Sequence, residues 1–223
     1  MTTLLLGNLN YSSWSIRAAL VAKLSGLEID TKVMPLAVAA TRDYLIEKTG
    51  YKQVPVLMTG DLIIRDSLAI TEWLAESTAP GTIWPKDRSD RARARMVAAE
   101  MHSGFASLRT ECFVDIRARR SGVRLSPATQ QDIARIKDIW AECRMNRTKS
   151  GPYLFGDWSA ADAFYAPVVT RVRTYGIELS GDDADYSAAV LSHPDVLAIE
   201  AAAEAEPWQM TSGPEGMIFH GEA

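Results

Sequence analysis

The chain has 223 residues, 24 Lys and Arg against 28 Asp and Glu for a net charge of −4, and 47% hydrophobic residues. That length suits two domains, and the composition is ordinary for a globular protein. An acidic balance argues against nucleic acid as a partner, and no apolar run approaches the ~20 residues that cross a membrane.

The first eighty residues alternate strand and helix signals. Thr3 to Leu6 is a short apolar strand closed by Gly7. Ser12-Ser13 then precedes a helix with Ile16, Leu20 and Leu24 on one face, ended by Gly26. Ile29 to Met34 reads as a half-buried strand, with Ile29, Thr31 and Val33 inward. Thr41 to Lys48 is a polar helix. Pro55 to Met58 and Leu62 to Arg65 are strands joined by a hairpin turn at Thr59-Gly60-Asp61. Asp66-Ser67 opens a helix carrying Ile70, Trp73 and Leu74 at helical spacing. The order β-α-β-α-β-β-α predicts a small mixed sheet with helices on its faces, because parallel strands need a crossover helix.

Residues 77–87, with Pro80, Gly81 and Pro85, read as a linker, and strand signals vanish beyond it. Val97, Met101, Phe105 and Leu108 mark one amphipathic helix; Ile133, Ile136, Trp140 and Cys143 mark another, with Pro127 near its start. Ser159 and Asp162 form a capping box for a helix carrying Phe164, Val168, Val172 and Tyr175, which Pro167 is expected to bend. Val196 to Ala205 is a shorter helix before an irregular tail. Arg117, Arg119 and Arg120 read as the solvated end of a helix. The expected division is 1–76 as an α/β domain, 77–87 as linker and 88–223 as an all-helical domain.

Cys112 and Cys143 belong to no Cys-x-x-Cys pair, and His102, His193 and His220 have no metal-ligand spacing. No metal is expected. The opening Met1-Thr2-Thr3-Leu4-Leu5-Leu6 lacks the basic start of an export signal, and the two thiols read as free, so the expected compartment is the cytoplasm.

Three segments point to chemistry. In Tyr11-Ser12-Ser13-Trp14-Ser15-Ile16-Arg17 a serine hydroxyl meets the unpaired N–H groups of a helix start, which favour an anion such as a thiolate. The same serine serves equally as a plain N-cap. In Lys52-Gln53-Val54-Pro55-Val56-Leu57 the proline marks a strand start. A cis bond there would turn the Val54 backbone outward to pair with an extended peptide, whereas a trans proline would be an ordinary strand entrance. In Arg65-Asp66-Ser67-Leu68-Ala69-Ile70, Ser67 and a helix start suit a carboxylate and Asp66 an ammonium group, or the pair is again a cap.

Ser12 to Arg17, Lys52 to Leu57 and Asp66-Ser67-Leu68-Ala69-Ile70-Thr71-Glu72-Trp73-Leu74 together resemble the cytosolic glutathione transferases, especially their serine-type zeta and tau classes. The capping box at Ser159 to Asp162 resembles that of the family's second domain. The resemblance implies a thioredoxin-like α/β domain with a four-stranded mixed sheet followed by an all-α bundle, and a homodimer built on the third helix and on Arg93 to Met101. It implies glutathione as co-substrate, with Ser12, or Ser13 as runner-up, at the sulfur. Val54 before a cis Pro55 would pair with the cysteinyl backbone, Asp66 and Ser67 would hold the γ-glutamyl end, and Gln53 would lie nearby. Trp14, His102, Phe105, Arg109 and Arg173 would wall a pocket for a small hydrophobic electrophile or a peroxide. Trp14 stands where the zeta class has cysteine, Asp66 where it has glutamine, and Ala106 and Thr110 where it has polar amides. These departures put cis–trans isomerisation in doubt; a zeta-like isomerase and a non-enzymatic binding module are the alternatives.

Overall fold

The computed structural model describes residues 1–213 and 216–220. Four strands, β1 (Thr2–Gly7), β2 (Asp30–Met34), β3 (Val56–Thr59) and β4 (Leu62–Arg65), form one sheet in the order β2-β1-β3-β4. β1 runs parallel to β2 and antiparallel to β3, which in turn pairs antiparallel with β4. Three helices accompany it: α1 (Ser13–Ser25), α2 (Ala39–Thr49) and α3 (Ser67–Glu76).

The two-residue period of β1 assigns the faces. Leu4 and Leu6 join the large core with Ile16, Leu20, Ile70 and Leu74 of α1 and α3. Leu5 points the other way, into a small cluster with Met34, Val56 and Leu45 of α2. The predicted strand around Ile29 begins one residue later, and Thr31, expected inward, is exposed because β2 is an edge strand.

Residues 77–87, where Ile83 and Trp84 are buried in the large core, lead to α4 (Arg88–Ser103), α5 (Ala106–Glu111), α6 (Pro127–Asn146), α7 (Ala160–Tyr175), α8 (Gly181–Leu191) and α9 (Pro194–Ala205). The single helix expected through Val97 and Leu108 is two. The Gly104 N–H closes α4 on the Glu100 carbonyl at 2.8 Å, and a Cβ at Gly104 would stand 2.9 Å from that oxygen. Phe105 then adopts a left-handed φ of 61° before α5 begins. α8 escaped the sequence pattern, since its buried side chains are only Tyr186, Ser187 and Val190. The tail read as irregular forms a hairpin, β5 (Gln209–Gly213) with β6 (Gly216–His220). The Arg117 run is not a solvated helix end either: it lies in the connection between α5 and α6, and Arg117 binds main-chain carbonyls in the last turn of α9 and just past it. Among the described residues no helix is long and apolar enough to cross a membrane.

One core runs through both halves, from Leu4 and Leu20 to Trp140, Phe164 and Tyr186. At about 1.5–3 kcal/mol for each large apolar side chain buried, this outweighs any exposed ion pair such as Arg95–Glu72, worth about 0–1 kcal/mol. The bundle's polar centre is Asp162, fully buried. Its carboxylate accepts from the N–H groups of Leu154 and Ser159 at 3.0 Å each, from Ser159 Oγ at 3.1 Å and from the Tyr186 hydroxyl at 3.3 Å. Burial pushes this carboxyl up to about 6 against the pull of those donors.

Replacing Asp162 by Ala strands buried donors at the start of α7. The expected loss is about 3 kcal/mol of stability, which in a chain of this size lowers Tm by roughly 6–12 °C in calorimetry. Asp162→Asn, which keeps one acceptor oxygen, should lose less.

Candidate functional site

The β1–α1 turn, the β3 entrance and the start of α3 converge on one cleft. A cavity of ≈ 570 Å³ has Ser12, Trp14, Leu36, Thr41, Arg42, Lys52, Gln53 and Val54 among its lining residues. A second, ≈ 490 Å³, is lined by Trp14, Gln53, Val54, Pro55, Arg65, Asp66 and His102. The two share Trp14, Gln53 and Val54, so they are halves of one groove.

Ser12 is the N-cap of α1 in extended conformation. Its Oγ accepts from the Ser15 N–H at 3.1 Å and donates to Ser15 Oγ at 2.9 Å, and Ser15 Oγ in turn accepts from the Gly7 N–H at 2.9 Å. The hydroxyl therefore sits at the positive end of the α1 dipole, on the groove wall. Ser13 is also buried, but it is not among the residues lining either half. The Val54–Pro55 peptide bond is cis.

Asp66 caps α3. Its Oδ1 accepts from the Leu68 and Ala69 N–H groups at 2.9 and 3.0 Å, and its φ of 64° is a left-handed value rare outside glycine. The other oxygen, Oδ2, faces His102 Nε2 at 3.6 Å. Ser67 is fully buried beside it, its Oγ without a hydrogen-bond partner among the described residues.

Trp14 stands between two guanidinium groups, Arg17 at 4.9 Å and Arg109 at 5.0 Å from the ring centre, with the His102 ring edge-on at 5.0 Å. Arg17 is fully buried and makes a second cation–π contact with Phe164 at 5.2 Å. Desolvation, then Arg109 and Arg171, hold its pKa well below the usual guanidinium range. Arg109 is fixed by the carbonyls of Gly104, at 2.9 Å, and Met101. Burial also holds His102 below its ordinary value, with Asp66 pulling the other way and Arg17 and Arg109 reinforcing the drop.

Residues 6–82 match the glutathione S-transferase N-terminal domain family. A carnation (Dianthus caryophyllus) protein, glutathione S-transferase 1, is 28% identical over 180 residues, covering 78% of each chain. The maleylacetoacetate isomerase of Rattus norvegicus is 26% identical over 208 residues, 91% of this chain and 90% of that one. A glutathione transferase homologue from Burkholderia, solved with glutathione bound, superposes with a TM-score of 0.68 at 22% identity, covering 92% of this chain and 99% of that one.

The first domain of the chain therefore belongs to the glutathione S-transferase family.

In this chain the structure brings Ser12, Gln53, Val54, Pro55, Asp66, Trp14 and His102 together, with Arg109 against the Trp14 ring. Two expected pocket residues lie elsewhere. Phe105 is part of the core at the α4–α5 break, and Arg173 is paired with Glu200 of α9 at 2.7 Å, because an outward arginine of α7 meets that helix. Sequence reading missed the wall from Leu36 to Arg42, where Ala37 has a left-handed φ of 61°. Pro35 was the one local signal. Lys52, quoted within a motif but given no role, also lines the groove.

The depressed His102 pKa fixes a pH dependence. The unfolded imidazole protonates first, so the folded state loses stability as pH falls through about 6.5 toward the lower folded value. His102→Phe should remove that slope, at most about 1.4 kcal/mol per pH unit, in urea unfolding compared at pH 5 to about 7. His193, also held low by burial, leaves a residual slope in both proteins.

Proposed function

We propose that this glutathione transferase activates the thiol of glutathione with the Ser12 hydroxyl, for attack on a small electrophile. The observation that carries the reading is the charge lining of one groove: Arg42, Lys52 and Ser12 at a helix start line one half, and Arg65 and Asp66 line the other. Glutathione has carboxylates at both ends, an ammonium group at one and a thiol in the middle.

Lys52 would face the glycyl carboxylate, and Val54 would pair through its main chain with the cysteinyl residue, beside Gln53. Asp66 Oδ2, which faces His102, would take the γ-glutamyl ammonium group, and Ser67 with the α3 N-terminus the adjoining carboxylate. A free thiol has a pKa of about 8.5. A hydroxyl donor and a helix N-terminus, each worth on the order of 1 kcal/mol, lower it by a unit or more. The Ser12 proton now given to Ser15 Oγ turns to the sulfur by rotation about one bond, and Ser15 then donates back to Ser12 Oγ. The thiolate attacks the electrophile, whose leaving group departs with the bonding pair; with a peroxide it would attack one oxygen, the other leaving as alkoxide, and a second glutathione would convert the resulting sulfenic acid to disulfide and water. Trp14 and neutral His102 would bound the electrophile.

A second reading, glutathione-dependent isomerisation, draws on the relative named maleylacetoacetate isomerase. Against it stand Trp14 and Thr110, whose hydroxyl is turned back to the Ala106 carbonyl at 2.9 Å. Turnover of maleylacetone with glutathione regenerated rather than consumed would favour that reading. A cytoplasmic location and a detoxifying role are part of the proposal, as is a homodimer, for which exposed Met96 on α4 and Leu62 on β4 are support. Light scattering should then give twice the 24.5 kDa of one chain.

Ser12→Ala should remove a charge-assisted hydrogen bond of roughly 1.5–3 kcal/mol, lowering the rate about 10- to 150-fold. Glutathione affinity by calorimetry should change far less, and the absorbance of bound thiolate should titrate at higher pH. Ser13→Ala should resemble the parent. Full activity in Ser12→Ala, or an absence of binding heat at millimolar glutathione, would overturn the assignment.

A further inference from the structure

We propose that Glu206, just past α9, is a positioning residue for Ser12, and that the helical half of the chain thereby sets the geometry at the sulfur. The inference rests on the Ser12 reading above.

Ser12 is held by the turn before it. Its N–H donates to the Asn8 carbonyl at 2.8 Å, as does the Tyr11 N–H at 3.2 Å. The Asn8 side chain accepts from the Leu36 N–H at 2.7 Å, tying the turn to the groove wall. The other main-chain donors of the turn point away from the sheet. Leu9 N–H donates to Glu206 Oε1 at 2.6 Å, Asn10 N–H to Oε2 at 3.4 Å, and Asn8 Nδ2 to Oε2 at 3.5 Å. One carboxylate thus closes over consecutive N–H groups, the arrangement that binds anions in turns.

Glu206 is itself fixed. Its carbonyl and that of Ala203 accept from Arg117 Nη2 at 2.6 Å each, and Arg117 Nη1 donates to the Trp208 carbonyl at 3.2 Å. Arg117's own N–H donates to Asn10 Oδ1 at 3.0 Å, so the same arginine joins the α9 terminus to the turn. Two residues past Trp208, the Met210 N–H donates to the Tyr11 hydroxyl at 3.1 Å. Burial raises the Glu206 carboxyl pKa, while the turn donors and Arg117 pull it back; Arg117 is the charged side chain that faces it.

Glutamine in place of Glu206 has the same shape but one acceptor oxygen. Its amide N–H₂ would meet the Asn10 N–H and Asn8 Nδ2, donor against donor, and the turn beneath Ser12 would shift. The sign of the effect on the thiol separates positioning from charge. Removing a nearby negative charge would by Coulomb's law ease thiolate formation, whereas misplacing the Ser12 hydroxyl impedes it.

The experiment compares Glu206→Gln, Glu206→Asp and Glu204→Gln, an exposed carboxylate on the same segment, with the parent chain. The readouts are kcat, KM for glutathione and titration of bound thiolate by its ultraviolet absorbance. Glu206→Gln should lower kcat about 3- to 10-fold, keep KM for glutathione within about twofold and raise the pH at which thiolate forms. Glu206→Asp, charged but too short to reach both N–H groups, should fall between, and serves if the glutamine variant folds poorly. Glu204→Gln should match the parent. Glu206→Gln added to Ser12→Ala should cost nothing further, since the hydroxyl it positions is gone.

An unchanged or lowered thiol titration in folded Glu206→Gln overturns the positioning role while Ser12→Ala still raises it, leaving the transferase reading intact. A risen KM alone also overturns it. If Ser12→Ala changes neither rate nor titration, both readings fall together.

Discussion

The structure depends on burying α1 from nearly every side. Ser13 and every residue from Ser15 to Ala22 are buried, with β1 and α3 on one side and α7 and α9 on others. An amphipathic surface helix needs one apolar stripe; this one has little room for any polar side chain that reaches water. Of the polar residues it keeps, the serines at its start are satisfied locally, whereas none of the three Arg17 guanidinium nitrogens has a hydrogen-bond partner among the described residues. Ser12 and Ser15 bond to each other, and Arg17 lies between aromatic faces where a desolvated cation–π contact is worth about 2 kcal/mol or more.

From that constraint the groove follows. A buried helix delivers its N-terminus to a fixed point, and the α1 start opens beside the β3 entrance because β1 and β3 are neighbours in the sheet. The start of α3 arrives directly after β4, with Asp66 bent into a left-handed conformation to cap the helix. Three chain segments distant in sequence thus meet at the ends of regular elements. Arg17 and Arg109, one from each half of the chain, both contact the Trp14 ring, so this wall of the groove draws on both halves.

Much of this was legible because it is coded locally. A serine three residues before an acid announces the start of α7, and the glycine after α1 adopts the left-handed cap that ends it. The Ser12, Val54-Pro55 and Asp66-Ser67 segments could be joined into one groove only through family resemblance, since no spacing rule brings positions 12, 54 and 66 together. The break at Gly104 was hidden because Val97, Met101, Phe105 and Leu108 keep helical spacing across it. α8 was hidden by its few apolar positions. The ties of Glu206 to Leu9 and of Arg173 to Glu200 join residues whose types have no local meaning. Contacts of that kind are set by how whole elements dock.

The shared core also bears on how the chain is made. α1 and the sheet are complete by residue 82, yet α7, which covers α1, ends at Tyr175. At roughly 5–20 residues per second of synthesis, that leaves the apolar flank of α1 uncovered for roughly 5–20 seconds as the chain emerges. Throughout that interval the first half lacks the partner surface that its mature packing requires. Ribosome-bound chains stopped before α7 should be the species that chaperones recognise.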